Sequence, residues 1–314
     1  MDYTKPPLSI RQQVANLKDY GLQIDNERLA EDYLSNIGYY RLKSYMEPFF
    51  ANSESGYKVI DSDIRFSDII ELYCFDRRLR LLMFNAIEKI EVAVRAKIVQ
   101  TYAEATNNSH WFCEKCLYFD KEKIDKKGNS TTVFDGLMDD IEWEVKRSKE
   151  DFIKQYKERY ENPSMPPAWM TLEVLSIGTL SRLYKQLKKS PQKKYIAEQF
   201  GLKDDQILAN WLYAISVWRN LCAHHSRVWN RRSIINVQLP NQTKYPFLDS
   251  KTRISLRTNK VFTVLCCIKY ISNIISPQSD LKQNICSIIK QGGKLLNIHN
   301  MGFPKKWETL DVWK

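Results

Sequence analysis

Leu79-Arg80-Leu81-Leu82-Met83-Phe84-Asn85-Ala86-Ile87-Glu88-Lys89-Ile90 lies inside a run, residues 67 to 103, that contains neither proline nor glycine. Its apolar residues Leu79, Leu82, Met83, Ala86, Ile87, Ile90, Val94 and Ile98 recur every three to four positions over five turns. That spacing lines them up on one stripe of an α-helix, whereas a strand would scatter them over both faces. Outward from this run the same period returns over residues 169 to 187, from 205 through the segment around 224, and over 256–275 and 280–296. Residues 8 to 50 read as short helices broken at Gly21 and Gly38, with Ser9 and either Asp25 or Asn26 as N-caps. Ten glycines in 314 residues and few alternating Val/Ile/Thr runs leave little room for sheet. The expected fold is all-α.

Four segments are expected: an N-terminal helical region (1–56), a helical core (57–300), a mixed-charge helical insertion within it (about 107–167) and a basic tail (301–314). Asn52-Ser53-Glu54-Ser55-Gly56 reads as a loop, Gly128-Asn129-Ser130 as a turn, and residues 188 to 194 as an exposed basic loop. The N-terminus has no apolar signal-peptide core. The longest apolar stretch, 261–275, is interrupted by Lys269, Ser272 and Asn273 and is too short to span a bilayer. No membrane partner is expected. Seven cysteines without framework spacing fit reduced thiols in a cytoplasm. Cys113-x2-Cys116, with His110 nearby, lacks the second pair that a zinc site usually needs, so neither metal nor cofactor is expected.

Function concentrates in Trp218-Arg219-Asn220-Leu221-Cys222-Ala223-His224-His225-Ser226-Arg227-Val228-Trp229-Asn230-Arg231-Arg232. Two of the four histidines are adjacent here. Between Gln206 and Ser279 ten basic residues stand against one carboxylate, Asp249, a net +9 of the whole-chain +11. Such a concentrated field favours a polyanionic partner. On a continuous helix Asn220, His224 and Arg227 share one face, and Arg219, roughly 140° away, would have to swing back to join them. An imidazole near neutral pKa suits proton transfer, and a guanidinium fork suits phosphoryl oxygens. These are the groups needed to cut RNA through its own 2′-hydroxyl. The dearth of carboxylates argues against a nuclease using hard metal ions, although Glu88 or Glu91 could supply ligands. Arg227, Arg231 and Arg232 read as phosphate contacts, or for the last two as a solvated face. Trp229 reads equally as a base-stacking platform or as core. Glu91 and Arg95, at i and i+4, read as a surface ion pair or as support for the site.

The Arg219-x4-His224 spacing with Asn220 after the arginine resembles the R-x4-6-H motif of HEPN ribonucleases. The wider string around it resembles the Abi-like abortive-infection proteins, the AbiD/AbiF group of phage defence. So do Lys5-Pro6-Pro7-Leu8-Ser9, Tyr39-Tyr40-Arg41-Leu42, Phe75-Asp76-Arg77-Arg78-Leu79-Arg80, Ile90-Glu91-x3-Arg95, and Pro166-Pro167-Ala168-Trp169 with Glu173 and Ser176-Ile177-Gly178. Together they cover about residues 5 to 270. The resemblance implies a HEPN-type helical bundle, with Arg219, Asn220 and His224 catalytic and His225, Glu91 and Arg95 supporting. Arg227, Trp229, Asn230, Arg231 and Arg232 would then bind RNA. It implies a homodimer with a composite cleft and metal-independent cleavage to 2′,3′-cyclic phosphate and 5′-hydroxyl ends. It also implies a restraining small noncoding RNA. Ser226 stands where some HEPN toxins carry a modifiable tyrosine, so that mode of control is not expected. The alternatives are a catalytically silent RNA-binding or regulatory protein of the same family, and a metal-dependent nuclease acting on DNA.

Overall fold

The computed structural model describes residues 2, 4, 6–52, 58–60, 63–124, 128 and 130–314. Lys5, residues 53–56 of the expected loop and Asn129 of the expected turn lie outside the described residues. Among the described residues the chain forms thirteen α-helices: α1 (Ile10–Asp19), α2 (Glu27–Ile37), α3 (Tyr39–Met46), α4 (Phe66–Thr106), α5 (Val133–Arg147), α6 (Asp151–Arg159), α7 (Ala168–Thr171), α8 (Ile177–Gln186), α9 (Pro191–Gln199), α10 (Asp205–Ala223), α11 (Ser250–Ser255), α12 (Val261–Ile275) and α13 (Leu281–Lys290). Two antiparallel hairpins of three-residue strands, Phe50–Asn52 with Lys58–Ile60 and Glu122–Ile124 with Ser130–Thr132, complete it. Strands this short leave no period-two signal in a sequence. The architecture is all-α.

The run that opened the reading is the spine. At 41 residues α4 is about 60 Å long, and α3, α8, α9, α10, α12 and α13 all pack on it. Its buried residues, from Phe66 through Leu79, Met83, Ile87, Ile90 and Ile98 to Tyr102, follow the three-four spacing. α12 is apolar all round, and every residue from Val261 to Ser272 is buried. Local signals set the helix starts. Ser9 caps α1 in a full capping box with Gln12, and the Asn26 side chain accepts from Leu29 N–H to cap α2.

Several expected boundaries move. Residues 256–275 are not one helix, because the chain leaves α11 at Leu256 in an extended conformation and turns before α12. α13 ends at Lys290, ahead of Gly293 at φ +74°. The expected loop at 188–194 is largely the start of α9: Ser190 caps it, and Lys193 is fully buried, donating to the carbonyls of Lys185 and Leu187 and pairing with Asp205 at 3.4 Å. The last segment, expected as a basic tail, buries Met301, Phe303, Trp307, Val312 and Trp313, with Phe303, Trp307 and Trp313 around Phe262 of α12. In the mixed-charge insertion, Leu137 and Ile141 of α5 join the common core. Glu144 there accepts from Ser176 and Thr179 at the start of α8.

Candidate active site

α10 carries the motif, but it stops inside it. Asp204 caps its start, Trp211, Ile215 and Trp218 are buried along one stripe, and the helix packs on α4 and α8, with Trp211 against Phe247 and against Tyr270 of α12. His224 N–H still donates to the Asn220 carbonyl at 2.9 Å, the last α-helical bond. Then His225 N–H turns back to Cys222 O, and Ser226 N–H to Leu221 O. His225 sits at φ +55°. That pair of bonds around a left-handed residue is a Schellman ending, at the position where glycine is usual. Asn220 and His224 are therefore exposed one turn apart, as expected. Arg227 is not on their face, because the helix that would have carried it there has ended.

Arg219 turns toward α4. Its Nε lies 3.9 Å from Glu91 Oε2, and its guanidinium sits 5.5 Å over the Phe84 ring. Glu91 is shared: its Oε1 accepts from Arg95 at 3.1 Å. Arg95 is no surface residue. It is buried, and donates to the carbonyls of Leu172 and Leu175, tying α4 to the chain that leads into α8. The surface-pair reading of Glu91 and Arg95 is thereby corrected. Burial raises the Glu91 carboxyl above its ordinary value, against the pull of Arg95 and Arg219. A cavity of about 260 Å³, lined by Phe84, Glu88, Glu91, Val92, Arg95 and Arg219, opens here. A second of about 470 Å³, lined by Arg77, Arg80, Leu81, Cys222 and His225 among others, shares Phe84 as a wall. The Arg219 Nε is covered and has no hydrogen-bond partner.

Beyond the helix the chain is pinned from below. Asp76 of α4, fully buried, accepts from the backbone N–H of Val228 and of Trp229, from the Tyr45 hydroxyl and from Arg80. Burial pushes its carboxyl up, while Arg80, Tyr45 and the two N–H groups pull it back. Arg227 donates to the Ser44 carbonyl and Arg41 to the His225 carbonyl. Trp229 is 1% exposed and lies parallel to Tyr45 and Phe49 at 6.4 and 6.1 Å. No base can reach it, so the platform reading is corrected in favour of core. Asn230 accepts from buried Lys260 at 3.1 Å. Sequence reasoning gave Asp76 and Arg80 no role, although their i,i+4 spacing was visible. The missing information was the loop they hold, 152 residues away.

A family model for Abi-like proteins matches residues 32–230, more than half of the chain. The chain belongs to the Abi-like family. The matched span of this Abi-like protein runs from α2 to Asn230, so it includes both acid–arginine pairs of α4 and the whole motif helix. No curated protein and no solved structure matches it.

The basic window of this Abi-like chain is only partly surface. Lys260 and Lys269 are buried and Arg227 half-buried, and burial lowers all three below their ordinary values. Arg253 and Arg257 donate to the carbonyls of Pro240 and His299. Arg231, Arg232, Lys244 and Lys251 remain exposed. At the Cys113/Cys116 pair, both ring nitrogens of His110 are engaged, with Ser109 Oγ and the Met165 carbonyl. No described helix is long and apolar enough to cross a membrane.

Proposed function

We propose that this Abi-like protein is a metal-independent endoribonuclease of the HEPN type, acting in the cytoplasm in phage defence as an abortive-infection effector or toxin. One observation carries the reading. Asn220 and His224 stand exposed one turn apart at the open end of α10, beside an Arg219 whose Nε is covered and unbonded. In the reaction the substrate's 2′-hydroxyl gives its proton to an imidazole and its oxygen attacks the adjacent phosphorus. The bond to the 5′-oxygen breaks, and that oxygen takes a proton. The products are a 2′,3′-cyclic phosphate and a 5′-hydroxyl. His224 is the proton carrier, Arg219 neutralises the phosphoryl oxygens, and Asn220 orients them. His225, Glu91 and Arg95 support the site, while exposed Arg231 and Arg232 grip phosphates.

One motif per chain makes half a site in this reading, and a homodimer completes it. The α4 face beside the motif supports that: Leu81, Phe84 and Val92 are 56%, 38% and 52% exposed next to the two cavities. A small noncoding RNA is the proposed restraint.

The test is a cleavage assay on labelled RNA with chelator present. Cutting should persist with chelator and fall by roughly 10² to 10⁴-fold in His224→Ala. Cutting that needs added divalent ion would favour a metal nuclease, for which Glu88 and Glu91 do face one cavity, though both Glu91 oxygens are engaged by arginines. Binding without cutting would favour a silent RNA-binding protein.

A further inference from the structure

Two segments to which the cleavage reading gives no role, residues 6–8 and residues 39–41 with Lys43, line one cavity of about 870 Å³. We propose that this cavity is a subsite for one unpaired nucleotide of the RNA, with its base stacked on Tyr40 and its phosphate held by Arg41 and Lys43. The proposal rests on the reading above that RNA is the ligand.

The aromatic groups come first. Tyr40 is 78% exposed, an unusual position for a large ring at the first turn of a helix. It is not loose: its ring meets Tyr39 edge-on at 5.7 Å, and Tyr39 is in turn held through its hydroxyl by Asn16 at 3.0 Å. An exposed ring braced along one edge is what a base stacks on, whatever its identity. Trp229, the platform suggested by sequence, is closed by Tyr45 and Phe49, while Tyr40 is open.

The charge agrees. Among the described residues no carboxylate lines the cavity, and Arg41 and Lys43 are its cations. Lys43 Nζ rests 5.4 Å over the Tyr20 ring and 5.8 Å over that of Tyr39, positioned by rings rather than neutralised by an acid. Among the described residues neither Arg41 nor Lys43 pairs with a carboxylate. Gln13, which also lines the cavity, spends its amide nitrogen on the Leu8 carbonyl and adds no charge. Apolar Pro7 and Leu8 line it too.

Position connects this to the motif. Arg41 donates to the carbonyl of His225, the residue after His224. Arg41 thus joins the cavity to the segment that carries the motif. The subsite selects single-stranded RNA, because a base inside a duplex cannot be laid on Tyr40.

The test uses full-length His224→Ala protein, so that binding is read without cutting, and a fluorescently labelled short single-stranded oligoribonucleotide in an anisotropy titration. Tyr40→Ala should raise Kd about tenfold, and Tyr40→Phe by no more than about twofold. Replacing the contacted nucleotide by an abasic one should weaken binding to the parent by the same factor and add nothing in Tyr40→Ala. A Tyr40→Ala Kd within about twofold of the parent, or equal abasic losses in both proteins, overturns the subsite. So does displacement by AMP at lower concentration than by the oligonucleotide, which would mark a mononucleotide site. If the wild type binds RNA without cutting but the Tyr40 cycle holds, the cleavage reading falls and the subsite stands. If the wild type cuts and the Tyr40 cycle fails, only the subsite falls. Absence of RNA binding overturns both.

Discussion

α4 carries two acid–arginine pairs at the same spacing, Asp76 with Arg80 and Glu91 with Arg95. In sequence they are equivalent. In the molecule the first pair is at most 5% exposed, and every donor around Asp76 belongs to the protein: a tyrosine, an arginine and two backbone N–H groups. The second is 10–15% exposed, lies on a cavity wall, and leaves one Glu91 oxygen for the motif's Arg219. One pair fixes a loop and the other presents an arginine. The lesson is that spacing specifies a pair, while its third partner and its access to solvent decide its use.

The comparison can be broken from either side. The largest effect should follow Asp76→Ala, which strands Arg80 and two buried N–H groups. Urea unfolding should show a loss of about 3–5 kcal/mol, and a loss below about 1 kcal/mol would mean that the loop does not depend on the pair. Next comes Arg219→Ala, expected to lower the RNA cleavage rate by roughly 10² to 10³-fold while leaving the unfolding midpoint almost unchanged. A matching drop in stability would put Arg219 with Asp76 among the structural groups.

Glu91→Gln should act less strongly, and through pH. Burial holds the Glu91 carboxyl above its usual range, so it protonates earlier as pH falls and releases Arg219 from its charge partner. Glu91 should therefore contribute a decline in wild-type cleavage as pH falls, ahead of the titration of surface carboxylates. The Glu91→Gln protein should lack that contribution and keep only the acid limb set by the catalytic imidazole in a pH–rate profile. Identical profiles would detach Glu91 from the chemistry. The smallest effect belongs to His225→Gly. Relief of φ +55° is offset by the greater freedom of an unfolded glycine, so thermal stability should stay level or rise by at most about 1 kcal/mol. A clear destabilisation would show that the His225 ring holds the helix ending, while lost activity at full stability would give the ring a part in the site.

Much of the fold was legible. The period over 67–103 located α4 to within three residues at either end, because a helix buried along one stripe must repeat its apolar residues at 3.6. Ser9, and Asn26 as one of two candidates, were legible as caps for a similar local reason. Asn220 and His224 kept the one-turn spacing expected of them. What failed was every inference that carried the helix past Ala223. Residues that end a helix in a left-handed turn are usually glycines, and here a histidine does it, held by hydrogen bonds that depend on the loop beyond.

The amino-acid sequence by itself determined that the protein is helical, which stripe of α4 is buried, and that Asn220 and His224 stand one turn apart, since each follows from neighbours within a few turns. Only the tertiary structure decided that Asp76 anchors the loop after the motif and that Trp229 is core. It alone aimed Arg219 at Glu91, and it set the Tyr40 ring at a cavity with no carboxylate among its described lining residues. Those outcomes rest on contacts between residues up to about 180 positions apart. Packing, not spacing along the chain, brings such residues together.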